Sequence, residues 1–269
     1  MDILTHTLSG VAAGTAVAAC SGKRGNSGSA AAVLMGGLGG FLPDLDAISL
    51  WKGFDRFLGA AHGLNVSGRE IYFGKWTFSH HGAMHSVLAG AVLAALIFFT
   101  GFILRYIFVR VKGEGSLFRP VIPSVLAFFF GYIMHLLGDL PTPGYVWGGI
   151  RLWWPADLYV GGTDQIWWWN NYDIFLAVLI AVVVNITILS GLGKFRNSFL
   201  RFLPAFVLAL LIFVSAVMIT NREYPYRYKS FRKEFAGFEA RSKEEQKRIL
   251  GSRLYKVMAG FDEMLPFNF

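Results

Sequence analysis

With 269 residues, 54% of them hydrophobic and only 16% charged, and a mean hydropathy of +0.48, the chain is too apolar for a soluble globular domain and reads as a polytopic membrane protein. Its single cysteine, Cys20, excludes an internal disulfide and a cysteine-rich zinc site. The net charge of +8 is assigned to cytoplasmic loops and lipid headgroups rather than to nucleic acid, for which no motif is present.

Residues Ile3 to Cys20 and Ala30 to Phe41 form two small-residue, glycine-rich runs. Each is short of the roughly 20 residues of a full span, so together they predict a tightly packed helical hairpin, thinly spanning or re-entrant. No basic stretch precedes the first run, so no cleaved signal peptide is expected. Leu42-Pro43-Asp44-Leu45-Asp46 ends the second run with a proline and two carboxylates. After a mixed loop, Phe78-Ser79-His80-His81-Gly82-Ala83-Met84-His85-Ser86 places three of the six histidines directly before the strongest span, Val87 to Val109. Further spans are expected from Ile122 to Leu140, Asp173 to Leu192 and Phe202 to Thr220. Between them lies a long aromatic loop with Trp147, Trp153, Trp154 and Trp167-Trp168-Trp169, whose composition reads as an interfacial belt. From Asn221 the chain turns polar and basic, with helix expected between Ser242 and Met258 and its charges on a solvated or headgroup-facing surface. The expected architecture is therefore all-α: a membrane-embedded helical bundle over residues 1–220, opening on the hairpin, and a partly helical tail over 221–269.

Short basic loops at 23–24, 110–119 and 194–201 belong on the cytoplasmic side by the positive-inside rule. Threading the chain between them brings His6, Asp44 and Asp46, the His80–His85 cluster, and His135 with Asp139 to one depth on the opposite face. The tail falls on that face too, despite its many Lys and Arg residues. His135 and Asp139 stand four residues apart, on one helical face, and His81 and His85 share the same i, i+4 relation. Imidazoles with carboxylates are the ligand set of zinc, and also of manganese or iron, and ionisable groups at membrane depth are costly enough to point to function. Singly, each has a plainer reading: His135 as a hydrogen-bonded core histidine, Asp44 and Asp46 as a helix stop and cap. His62 reads as surface.

Taken in order, Met1 to Gly10, Leu-Pro-Asp-Leu-Asp at 42–46, His80 to Ser86, His135-Leu136-Leu137-Gly138-Asp139, Pro141 to Gly144 and Trp154-Pro155 resemble the YdjM family of bacterial inner-membrane proteins, described as LexA-regulated or LexA-binding metal-dependent hydrolases. The resemblance covers about the first 155 residues. A more distant likeness links the H-x-x-x-D element to the zinc phospholipase C and P1 nuclease group. The family resemblance implies His6, Asp44, His80, His85, His135 and Asp139 as metal ligands, with Asp46 as the second carboxylate of its motif. The family carries Arg after the first histidine of the central motif and Thr before the second, where this chain has His81 and Met84. The Arg would have clamped a phosphate, and His81 takes its place as a donor or as a ligand.

The expected activity is hydrolysis assisted by one or two divalent ions, zinc foremost. Asp44 or Asp46 would orient the water, and His81 would help stabilise developing charge. A lipid or lipid-linked phosphoester or other ester at the outer membrane–water boundary is the expected substrate, with membrane lipids as the only other expected partners. The rival expectation is a non-enzymatic membrane protein using the same ligands, either a metal-ion permease or a structural or regulatory factor. Nothing in the sequence sets an oligomeric state.

Overall fold

The computed structural model describes residues 1–21, 26–112, 121–191, 198–223, 225–227 and 231–265. Lys23, Arg24, Arg119, Lys194 and Arg196, on which the expected sidedness leans, lie outside the described residues. The regular structure is α1 (Ile3–Cys20), α2 (Asn26–Phe41), a short α3 (Gly68–Phe73), α4 (Val87–Lys112), α5 (Ile122–Asp139), α6 (Tyr172–Gly191), α7 (Leu203–Thr220) and α8 (Phe231–Glu263). Among the described residues there is no strand, only isolated antiparallel bridges joining Pro143 to Thr163 and Ile150 to Val160. Six stretches are long and apolar enough to cross a membrane: Ile3–Cys20, Gly28–Leu50, Val87–Arg110, Ile122–Asp139, Tyr172–Gly191 and Phe199–Thr220. The chain is thus an all-α polytopic bundle, as its composition requires.

α1 is the hub, packing against α2, α5, α6 and α7. Asp2 starts it, its carboxylate accepting from the Thr5 backbone N–H at 2.7 Å and from the Thr5 hydroxyl at 2.6 Å. Small residues then let the hairpin close: a Cβ on Gly10 would collide with the carbonyl of Gly36, and one on Gly36 with that of Gly10. Backbones that meet so closely gain dispersion contacts that hydrocarbon cannot supply by exclusion alone. α2 does not end at Phe41 but tightens into a 3-10 stretch, Leu42–Leu50, opened by Pro43. The proline supplies no N–H and ends the α-helical ladder, which leaves Asp44 and Asp46 on a rigid turn at the rim. α5 lies along both α1 and α2, and α4 packs on α5. The outer face of α4 exposes Val92, Leu96, Phe99, Ile103 and Ile107, a lipid-facing surface in a chain of this class.

The tail is more structured and more buried than its polarity suggested. Its helix runs from Phe231 to Glu263 with a break at Gly251 (φ 74°), well beyond the expected 242–258. It docks on the first turn of α6 and on the tryptophan loop. Tyr172 donates to Asp262 at 2.7 Å, the Asp173 N–H donates to Gln246 at 3.1 Å, and Phe238 stacks on Trp167 with ring centroids 5.7 Å apart. Buried Arg222 joins Asp173 at 2.6 Å and Glu245 at 3.3 Å.

Candidate metal centre

Four chain segments meet at one end of the bundle: the start of α1 with His6, the 3-10 stretch after α2 with Asp44 and Asp46, the turn before α4 with His80, His81 and His85, and the end of α5 with His135 and Asp139. The histidine turn is held by its own short hydrogen bonds. Gly82 N–H donates to Ser79 O (2.9 Å), Ala83 N–H to Thr77 O (2.8 Å) and His85 N–H to Gly82 O (3.0 Å). Ser86 caps α4, accepting from the Ala89 N–H at 3.1 Å, and the Tyr132 hydroxyl of α5 donates to the Met84 carbonyl. His81 takes a left-handed conformation (φ 62°), so the helical i, i+4 relation to His85 is not how these rings meet. They still approach to 4.9 Å between centroids.

The ring tautomers follow from the partners. His135 Nδ1 lies 2.7 Å from the Gly40 carbonyl, which can only accept, so Nδ1 carries the proton and Nε2 keeps its lone pair. His85 Nδ1 faces Asp46 Oδ2 at 3.1 Å, and Asp46 Oδ1 lies 2.7 Å from His80 Nδ1. One carboxylate thus orients two imidazoles from behind, the usual support of a metal-bound histidine. What remains points inward. His85 Nε2 and His135 Nε2 are 3.3 Å apart. Asp139 Oδ2 is 3.0 Å from the second and 3.5 Å from the first, and Asp44 Oδ1 is 3.6 and 3.8 Å from them respectively. Four atoms bound at about 2.0–2.1 Å to a tetrahedral zinc stand about 3.3–3.4 Å from one another. His85 Nε2, His135 Nε2 and Asp139 Oδ2, at 3.0–3.5 Å from one another, match three corners of that arrangement, and Asp44 Oδ1 stands slightly farther from both imidazoles.

Without a cation the arrangement is costly. His6, His85 and His135 are fully buried. The buried atoms His6 Nδ1 and Asp139 Oδ2 make no aligned hydrogen bond among the described residues, a penalty of about 1–3 kcal/mol for each such group, and His85 Nδ1 and Asp46 Oδ2 meet only as an ion pair at 3.1 Å. Burial alone would lower the His85 pKa, but Asp46 and Asp44 beside it carry it up to about 10, so in the bare site a proton stands where the geometry suits an ion. The residues therefore fit a divalent metal. Three overlapping groups could hold one: His85, His135 and Asp139; His6, Asp44 and His135; and His80, His81 and His85. His6 stacks on His135 (centroids 3.8 Å apart) and reaches Asp139 Oδ1 at 3.0 Å, an oxygen also approached by the Met1 amino group at 3.0 Å.

The chain matches the family described as "YdjM inner membrane protein" over residues 1–222. It belongs to the YdjM family. The match runs well past residue 155, where the recognisable motifs end, to the C-terminal end of α7. No curated protein and no solved structure matches the chain, and the likeness to zinc phospholipase C and P1 nuclease has no support. As a member of a family of inner membrane proteins, the chain places its candidate ligands at one end of its spanning helices.

Above the ligand cluster opens a pocket of about 300 Å³, with Asp44, Asp139, His80 and His81 on its floor and Tyr72, Phe73, Trp147, Trp168 and Trp169 in its walls. His81 Nδ1 lies 3.1 Å from the Gly149 carbonyl, which leaves its Nε2 an acceptor. Burial, reinforced by His80 and His85, holds the His81 pKa well below its ordinary value. It is a neutral acceptor and not the cationic donor that would replace an arginine. The aromatic walls were not recognised in the sequence, where tryptophans in a loop read as an interfacial belt. Trp147 is almost fully buried beside His81, its ring centroid 4.6 Å away, and the indole N–H groups of Trp147 and Trp169 have no acceptor among the described residues. No spacing rule flags them. His62, read as surface, is exposed.

Proposed function

We propose that this chain is a membrane metal-dependent hydrolase that cleaves a phosphoester or other ester of a lipid or lipid-linked substrate, at the non-cytoplasmic membrane–water boundary. The observation that carries the reading is the triad of His85 Nε2, His135 Nε2 and Asp139 Oδ2, 3.0–3.5 Å from one another, with Asp44 Oδ1 3.6 and 3.8 Å from the two imidazoles, beneath an aromatic pocket that Asp44 and Asp139 line. A divalent ion held there, zinc by ligand type, would supply Lewis acidity for activating water and for charge developing on an ester oxygen. The protein's part is positional. Asp46, with both oxygens turned to His80 and His85, orients ligands and does not meet the water. His81, whose neutral ring lines the pocket, is placed to accept a hydrogen bond there. Trp147 and Trp169 line the pocket, and their buried indole N–H groups, without an acceptor among the described residues, are donors that a substrate oxygen would satisfy. A permease would need a polar route below the site, but the helices there meet glycine to backbone, Gly10 on Gly36 and Gly131 on Gly36.

The test is metal analysis of chelator-free protein, with a screen of phosphodiesters, phosphomonoesters and carboxylic esters. Wild type should carry about one to two ions per chain and hydrolyse one class. His135→Ala should lose both properties while still inserting in the membrane. Wild-type protein without bound metal, or His135→Ala with undiminished metal, defeats the proposal.

A further inference from the structure

A second cavity, of about 290 Å³, lies beside the metal centre. It is a crevice between α5 and α7, with Leu137 and Gly138 on one wall, Ile212, Ser215 and Ala216 on the other, and Met1 at its inner edge. Three features set its occupant. Both walls belong to helices apolar and long enough to span a membrane, so the medium at its mouth is hydrocarbon. Along α7 the lining runs from Leu211 to Thr220, ten residues spanning roughly 13 Å of helix, close to the roughly 15 Å of one leaflet's hydrocarbon. Below the rim it is apolar except for the small hydroxyls of Ser9 and Ser215, and it turns polar at the rim, where Thr163, Gln165 and Thr220 line it. That is the profile of an acyl chain below its ester.

The crevice also touches the candidate metal centre. Met1 lines both cavities, and the consecutive residues Gly138 and Asp139 face the crevice and the pocket respectively. At Gly138 the crevice comes close to the candidate ligands: a Cβ there would sit 2.5 Å from Met1 Cε and 2.8 Å from His6 Cε1. We infer that the crevice holds one acyl chain of a membrane lipid and so presents that lipid's ester or phosphoester to the metal centre. This rests on the hydrolase reading for the second half of the statement and not for the first.

The experiment fills the crevice from α7, away from every candidate ligand. Ala216→Trp and the smaller block Ser215→Phe are compared with Val214→Trp, on the same helix but outside the crevice lining. Each protein is equilibrated with vesicles of dioleoyl phosphatidylcholine and phosphatidylglycerol, purified in mild detergent, and weighed by native mass spectrometry. The expected result is one retained lipid in wild type and Val214→Trp, lost in the two blocked variants. Hydrolysis of long-chain lipid should fall at least tenfold in the blocked variants, with bis(p-nitrophenyl) phosphate hydrolysis and metal content unchanged. Equal lipid retention in all four proteins overturns the inference. Retention that follows the block, in a wild type that cleaves neither substrate, upholds the crevice and overturns the hydrolase reading.

Discussion

Changing Asp46 to Asn separates an orienting carboxylate from a ligand. The side chain is only 4% exposed and stands 2.7 Å from His80 Nδ1 and 3.1 Å from His85 Nδ1. An ionised carboxylate accepts from both. Asparagine offers one accepting oxygen and one donating amide, so one imidazole must meet a donor. If that imidazole is His85, its proton has to move to Nε2 and block the lone pair that faces His135. Loss of such support typically weakens metal affinity 10–100-fold, which is about 1.4–2.7 kcal/mol. Asp46→Asn should therefore still bind zinc, with Kd raised by that factor, whereas His135→Ala and Asp139→Ala, each missing a ligand, should not hold it through purification. The assay is competition against a chromophoric chelator in detergent, with metal content measured in parallel. Wild-type affinity in Asp46→Asn would remove the carboxylate from the site's support. A loss as complete as that of His135→Ala would make it a ligand.

Three further outcomes are expected. Trp147→Phe keeps the ring that packs on Phe73 and His81 but removes an unpaired N–H, and kcat/KM should fall by about 1–3 kcal/mol of transition-state binding with metal content unchanged; full activity would leave the indole a packing residue only. Arg222→Ala strips the cation from Asp173 and Glu245, which are 3% and 9% exposed, and a buried pair broken on one side costs about 3–5 kcal/mol; limited proteolysis should then release the tail, and unchanged protease resistance would refute its docking through this pair. An alkaline phosphatase fusion after residue 263 should be active and one within residues 113–120 inactive, because the tail contacts the site end of the bundle; the reverse pattern would put the metal centre on the cytoplasmic side.

Much of the framework was legible because it follows from periodicity and cost. His135 and Asp139 declare themselves by i, i+4 spacing in an apolar helix, and loop charge alone placed the four polar clusters at one end. His6 had no local signal and was reached only by that threading and by family resemblance. Asp46 reads as one of two equivalent carboxylates until the structure turns both its oxygens toward imidazoles. The pocket walls were illegible for a physical reason: Tyr72, Trp147 and Trp169 come from a short helix and an irregular loop, where no period ties a side chain to a direction. The tail was misjudged because several of the groups that dock it, the Arg222 side chain, Gln246 and Asp262, are polar and find their partners across 49 to 90 residues, which composition cannot foresee.

The docked tail has a consequence for the family. The family match stops at residue 222, yet the segment beyond it props Trp167 and its neighbours Trp168 and Trp169, two of which wall the pocket. The candidate ligands thus lie in the shared portion, while part of the pocket wall is supported from a portion outside it. A relative could exchange that C-terminal buttress and reshape the pocket without touching a single candidate ligand.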